Sequence, residues 1–209
     1  MQEPLKGIIP STCKWLIIRD TDCVPLNKKI AASNDDTKDV DTSGAQISVL
    51  FQDGYGIEST FLSEPDKLAR LLTNYYNLNI AEQPNIQAEI DRLINVFSYG
   101  VKDITSPIHK PWKKHFDRQL KVRSGRVYRN LKAEDVLSLI EPSSIQYIMT
   151  KELMNKFLND IHSFIISNYA TCTQQALTSQ SIFTHYYSWI TGLNDIFDAH
   201  KSILTQIYS

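Results

Sequence analysis

The chain has 209 residues, a formal net charge of −1 and a hydrophobic content of 42%. This length and composition are typical of an ordinary globular protein with one good core, and the net charge gives no indication of a partner. Three scattered cysteines without a CxxC pair argue against a zinc site or a disulfide framework, and they fit a reducing compartment. No apolar run approaches the roughly 18 residues that span a bilayer, so we expect a cytoplasmic protein without membrane contact.

The first predicted element is a short strand that runs straight into two acids. Residues 14–19 are largely apolar and predict a buried strand, and Asp20 and Asp22 follow it directly. Ligand groups in open α/β sheets gather at the carboxyl ends of strands. Two carboxylates at that position indicate an oxygen-rich site for Mg²⁺ or Mn²⁺, whereas the simpler alternative is an Asp-rich turn.

A loop, a second strand and a third acid follow in the chain. Residues 31–44 are polar and acidic and predict a loop. Residues 47–52 predict a second strand, and residues 57–62 predict a further strand or an ordered loop. Glu58 is the best candidate for a third ligand, because this segment can reach the same sheet edge as Asp20. The alternative is an exposed turn residue.

Apolar residues at helical spacing predict helices over most of the remaining chain. These helices are expected from Pro65, over 85–99, over 133–140, from Thr150 as an N-cap, and from about 179 to 208. The predicted fold class is therefore α/β. A small sheet region over residues 1–80 precedes a mainly helical region over residues 81–209.

Charge is distributed unevenly along the chain. Residues 35–66 contain eight acids and one base, whereas residues 110–132 contain nine bases and one acid. Such an asymmetry is typical of a segment that binds a polyanion. Pro107 and Pro111 predict that the basic segment, residues 109–132, is a loop with short elements.

Two interpretations of this basic segment remain open. In the first, Trp112 and Phe116 stack on the bases of a nucleic acid, most simply DNA, while the basic side chains bind its phosphates. The candidate ligands are Lys110, Lys113, Lys114, Arg118, Lys121, Arg123 and Arg126. In the second interpretation, the basic side chains form a solvated face and the two aromatic rings are core anchors.

The acidic motifs resemble the later half of the TOPRIM domain in OLD-family nucleases, which are ATPase-linked proteins of anti-phage defence. In that family an apolar strand ends in a DxD pair, and a segment of the type I-E-x-x-L/F-L leads into a helix. Here Asp-Thr-Asp stands at residues 20–22 and Ile-Glu-Ser-Thr-Phe-Leu at residues 57–62. The resemblance covers residues 15–76 and implies a partial TOPRIM-like, Rossmann-like sheet.

The resemblance also implies a function, that of a divalent-metal-dependent endonuclease. Asp20, Asp22 and Glu58 would bind Mg²⁺ or Mn²⁺ and carry the hydrolysis of phosphodiester bonds. In relatives a basic residue assists at the scissile phosphate, and Lys113, Lys114 and Arg126 are candidates for that catalytic role.

Two parts of such nucleases have no counterpart in this sequence. No strand that ends in a glutamate precedes Asp20, and no Walker A motif occurs. We therefore expect the C-terminal portion of a larger TOPRIM protein, incomplete or inactive alone. Alternatively, a separate ATPase chain supplies the missing strand.

Two other functions fit the same residues. Residues 20–24 match the DxDx[TV] pattern of haloacid dehalogenase-like phosphatases, in which the first Asp is the nucleophile. That family also needs a later strand that ends in two acids, and no later segment has this pattern. The second alternative is a non-catalytic helical module that binds nucleic acid or a protein partner.

Overall fold

The structure is a computed structural model that describes residues 14–19, 46–51, 55–122, 132–133, 137, 145–169 and 172–201. The predicted acidic loop at 31–44 and most of the predicted helix at 133–140 lie outside these ranges. No helix within them is both long enough and apolar enough to cross a membrane.

Two short strands pair near the start of the described chain. Strand β1, Lys14–Arg19, runs parallel to strand β2, Gln46–Phe51, and their residues pair in register along the full length of both strands. Parallel strands that adjoin in a sheet end at the same edge.

The prediction of an α/β fold with a TOPRIM-like sheet is wrong. Beyond residue 54, α- and 3-10 helices hold 74% of the described residues. The sheet formed by described residues contains two strands, whereas a Rossmann-like sheet needs several parallel strands with helices on both faces. The described part of the chain is therefore a helical fold.

Five α-helices build the packed part of the described chain. They are α1 Pro65–Tyr75, α2 Gln83–Lys102, α3 His109–Val122, α4 Lys151–Asn168 and α5 Ser181–Trp189. Short 3-10 helices lie at Ile57–Ser63, Ile80–Glu82, Ile145–Tyr147 and Leu193–Asp195. The predicted N-cap of α4 is confirmed, because the Thr150 hydroxyl accepts a hydrogen bond from the Leu153 N–H at 3.3 Å.

The segment at 57–62 is a 3-10 helix rather than the expected strand or ordered loop. The Ser59 hydroxyl donates to the Gly56 carbonyl at 2.7 Å, and the Thr60 hydroxyl donates to the Ile57 carbonyl at 2.6 Å. Both bonds reach back three residues, which favours a tight helical turn over an extended chain.

The last predicted helix, from about 179 to 208 with a weak point at Gly192, is interrupted there. Its first part, α5, ends at Trp189, residues 198–201 are helical again, and residues 202–208 lie outside the described part. The Asp195 carboxylate accepts hydrogen bonds from the backbone N–H groups of Thr191 at 2.9 Å and Gly192 at 3.1 Å. These bonds turn the chain directly after α5.

The basic segment is helical from His109 to Val122, so the prediction of a loop is wrong for these residues. Pro107 precedes the helix and Pro111 is its third residue. The first N–H groups of a helix have no intrahelical acceptor, so a proline in the first turn removes no helical hydrogen bond.

A hydrophobic cluster joins residues from the two regions predicted from the sequence, 1–80 and 81–209. Phe61 is fully buried, and its ring centroid lies 5.0 Å from that of Phe183, 5.2 Å from Tyr186 and 4.9 Å from Phe197. The 3-10 helix at Ile57–Ser63 is thereby packed against α5 and the segment that follows it.

A buried hydrogen-bond chain reinforces this packing. The Thr60 hydroxyl donates to Ile57, so it accepts from Nε2–H of His200 at 2.7 Å. The Tyr186 hydroxyl accepts from the Phe197 N–H at 3.2 Å and donates to Nδ1 of His200, also at 3.2 Å. Burial lowers the pKa of His200 to about 4, so the neutral imidazole with its proton on Nε2 fits this chain.

Candidate nucleic-acid interface

The inner face of α3 is an anchor in the core. Trp112 and Phe116 lie one turn apart, are 1% and 0% exposed, and place their ring centroids 4.6 Å from each other. The Trp112 indole N–H donates to the Ile148 carbonyl at 3.1 Å. The core-anchor interpretation is confirmed, and base stacking by these two rings is wrong, because neither ring presents a face to solvent.

The outer face of α3 carries a row of cations. Lys110, Lys114 and Arg118 are exposed and stand four residues apart, so they follow one side of the helix for about two turns. We call these three residues the α3 cationic row. Like charges at this spacing destabilise an isolated helix by about 0.2–0.5 kcal/mol per pair. The stability of α3 therefore does not explain why three cations stand at this spacing.

Most other cations of the described chain have an acidic partner. The pairs are Lys67–Glu64, Arg70–Asp195, Arg92–Glu89, Lys113–Asp117, Lys151–Glu58, Lys156–Asp160 and Lys201–Asp198. Among described side chains, the α3 cationic row and Lys102 form no ion pair or hydrogen bond. The unpaired positive charge of the described chain thus lies between residues 102 and 118.

Lys102 is a further unpaired cation among the described side chains, and the sequence does not predict it as a ligand. His109 donates its Nδ1–H to the Val101 carbonyl at 2.7 Å, and this bond ties the end of α2 to the start of α3. Lys102 follows Val101 and Lys110 follows His109, so the two cations flank the same contact. The only signal in the sequence is the position of Lys102 shortly before the basic segment.

A groove of about 260 Å³ lies beside the α3 cationic row, between α3 and the first turn of α4. Pro111 and Leu153 contribute apolar surface, while Lys114 and Arg118 bring positive charge to its lining. Glu152 is the acid among the residues that line the groove. The groove therefore combines an apolar surface with charged groups of both signs.

The other predicted basic ligands lie at the side of this surface or outside the described part. Lys113 is half-buried and donates to the Asp117 carboxylate at 3.0 Å. The backbone of Lys121 belongs to α3, but its side chain is outside the described part, as are Arg123 and Arg126. The catalytic roles expected for Lys113, Lys114 and Arg126 stay predictions.

Glu58 has a buried carboxylate in the 3-10 helix at Ile57–Ser63. The residue is 3% exposed, and its Oε1 lies 3.6 Å from Nζ of Lys151 without a hydrogen-bond partner among the described groups. A Cβ added at Gly56 would stand 3.1 Å from Oε2 of Glu58, so the carboxylate packs against the backbone there. The alternative of an exposed turn residue is therefore wrong for Glu58.

The surroundings of Glu58 do not by themselves make a metal site. The charged group beside it is the ammonium of Lys151. No group of three or more histidine, cysteine or acidic side chains with the geometry for an ion occurs among the described residues. Asp20 and Asp22 lie outside the described part, so the three-carboxylate site for Mg²⁺ or Mn²⁺ stays a prediction.

No protein-family model, curated protein or solved structure matches the chain. The resemblance to TOPRIM nucleases and the ATPase partner implied by it stay predictions from short motifs. The same holds for the alternative of a haloacid dehalogenase-like phosphatase and for the cytoplasmic location.

Proposed function

We propose that this chain is a helical module that binds nucleic acid through the α3 cationic row. The observation that carries the proposal is that Lys110, Lys114 and Arg118, on one exposed helix face, have no acidic partner among the described side chains. A polyanion at this face would offset the mutual repulsion of the three cations.

The dimensions of the row suit a phosphate backbone. At 1.5 Å per residue, eight residues of helix extend over about 12 Å. In a double helix each strand places a phosphate about every 3.4 Å along the axis, so the row spans a length that carries about three to four phosphates of one strand. Several regularly spaced phosphates in one ligand favour a nucleic acid over a single small anion.

The inner face of α3 supports the same proposal. Trp112 and Phe116 fix the helix in the core, so the cations are presented by a rigid element. A ligand then needs to order only the side chains, which lowers the entropic cost of binding. Asp117 at the side of the row already pairs with Lys113, which limits its repulsion of a phosphate.

Salt titration of binding tests the proposal. We expect affinity for a fluorescent oligonucleotide to fall with salt, with a log–log slope of about −2 to −3 for three to four contacts on a single strand. The substitution Lys110→Gln is expected to reduce the slope by about 0.7.

The matched control is Lys156→Gln on α4, because Lys156 is exposed but already paired with Asp160 at 2.8 Å. This variant should keep the slope of the unaltered protein. Binding without salt dependence, or equal effects of the two substitutions, would contradict the proposal.

A further inference from the structure

We propose that the groove between α3 and the first turn of α4 holds one nucleotide of a single strand, and that Glu152 weakens this binding. Lys114 and Arg118 would hold its phosphate. This inference rests on the proposed function and deepens it, because it makes single-stranded nucleic acid the preferred ligand.

The size of the groove limits what it can hold. Sites for drug-sized ligands enclose about 300–1,000 Å³. At about 260 Å³ the groove lies just below that range, so it has room for at most one nucleotide.

The apolar part of the groove favours a single strand over a duplex. Pro111 and Leu153 line it beside the charged groups. In a duplex the bases are paired and stacked inside, so a groove on the protein meets mainly sugar and phosphate. In a single strand a base or sugar can turn towards an apolar surface while its phosphate stays among cations.

The cations of the groove are placed for the phosphate of that nucleotide. Lys114 and Arg118 line the groove and also belong to the α3 cationic row, and neither has an acidic partner among the described side chains. A guanidinium can bind a phosphate through two parallel hydrogen bonds, while an ammonium acts as a compact point charge. Lys114 and Arg118 therefore belong both to the groove and to the surface along α3 that would bind the rest of the nucleic-acid backbone.

Glu152 is the opposing charge at the same place. Its side chain is 73% exposed, and its Oε2 lies 3.8 Å from Nδ1 of His115. Nε2 of His115 makes a hydrogen bond of 2.7 Å with the Tyr55 hydroxyl, so the ring is held from its other side. A carboxylate in the first turn of α4 stabilises that helix, but in the groove it repels an incoming phosphate.

Fluorescence anisotropy with a short oligothymidylate and with a duplex of the same length tests the role of Glu152. We expect Glu152→Gln to raise the single-strand affinity by about two- to fivefold, the size of an exposed charge interaction, and to change duplex affinity less. The matched control is Asp91→Asn, which removes the same charge from an exposed position on α2 away from the groove. Equal effects of the two substitutions on single-strand binding would overturn the role of Glu152.

A second pair of variants tests the groove itself. The double variant Lys114→Gln/Arg118→Gln should abolish the preference for a single strand, whereas Lys102→Gln/Lys110→Gln should lower binding to both probes and keep the preference. If the Lys114→Gln/Arg118→Gln variant still prefers the single strand, the groove does not bind the nucleotide and the inference is overturned. In that case the proposed function would still stand if Lys102→Gln/Lys110→Gln lowered binding to both probes. If the unaltered protein bound neither probe, both the proposed function and the groove site would be wrong.

Discussion

The buried imidazole of His200 predicts a specific loss of stability in acid. Its Nε2–H donates to Thr60 and its Nδ1 accepts from the Tyr186 hydroxyl, so both ring nitrogens are engaged in the neutral form. A proton added to Nδ1 would face the Tyr186 O–H, which would have to turn away. Protonation would also place a charge in a site that is 9% exposed, which is costly without a counter-ion.

The size of the loss follows from the pKa of His200. Burial lowers it to about 4, whereas an unfolded chain has a histidine pKa of about 6.5. The native state therefore binds fewer protons, and stability is complete above about pH 6.5 and declines as the pH falls towards 4. The full difference corresponds to about 3 kcal/mol, and about 2.5 kcal/mol of it is lost by about pH 4.5.

Urea unfolding of the unaltered protein and of His200→Gln, measured at a series of pH values, isolates this contribution. The glutamine amide can still donate to Thr60 but does not titrate. We expect the unaltered protein to be the more stable at neutral pH and the difference in unfolding free energy to shrink by about 2.5 kcal/mol towards pH 4.5. Parallel pH profiles for the two proteins would show that His200 does not cause this loss of stability.

The remaining predictions concern α3 and α4. Trp112→Ala should lower the unfolding free energy by about 3–5 kcal/mol, as is usual for a buried aromatic ring, whereas Tyr99→Ala at an exposed position should change it by less than about 0.5 kcal/mol in the same urea titration. Thr150→Ala should cost about 1 kcal/mol through loss of the N-cap, and Thr150→Ser should restore most of it. At raised salt, the affinity of Lys110→Gln should approach that of the unaltered protein. The variant releases fewer counterions on binding, so its affinity falls less steeply with salt.

The features that could be predicted from the sequence are local ones. The strand at Lys14–Arg19 and the Thr150 cap depend on neighbouring residues, so pattern and capping chemistry were sufficient. The loop prediction for the basic segment was wrong because of Pro111. A proline is tolerated in the first turn of a helix but breaks a helix interior, and the sequence does not show at which residue α3 begins. Once α3 is known to start at His109, the four-residue spacing of the α3 cationic row is evident.

The features that could not be predicted depend on distant residues. Glu58 is buried beside Lys151, and His200 is bonded to Thr60, which is 140 positions earlier in the chain. The pairing state of each cation likewise depends on packing, as in the contact of Arg70 with Asp195. Net charge along the sequence shows where cations are, but only the fold shows which of them lack an acid.

Photochemical cross-linking tests the location of the interface most directly. A single-stranded oligonucleotide that contains 4-thiothymidine would be irradiated with the full chain, and the cross-linked peptides would be identified by mass spectrometry. We expect cross-links within α3 and the first turn of α4, with fewer of them in Lys114→Gln/Arg118→Gln. Cross-links confined to α1 and α5, or unaffected by that double variant, would place the interface elsewhere and overturn the proposed function.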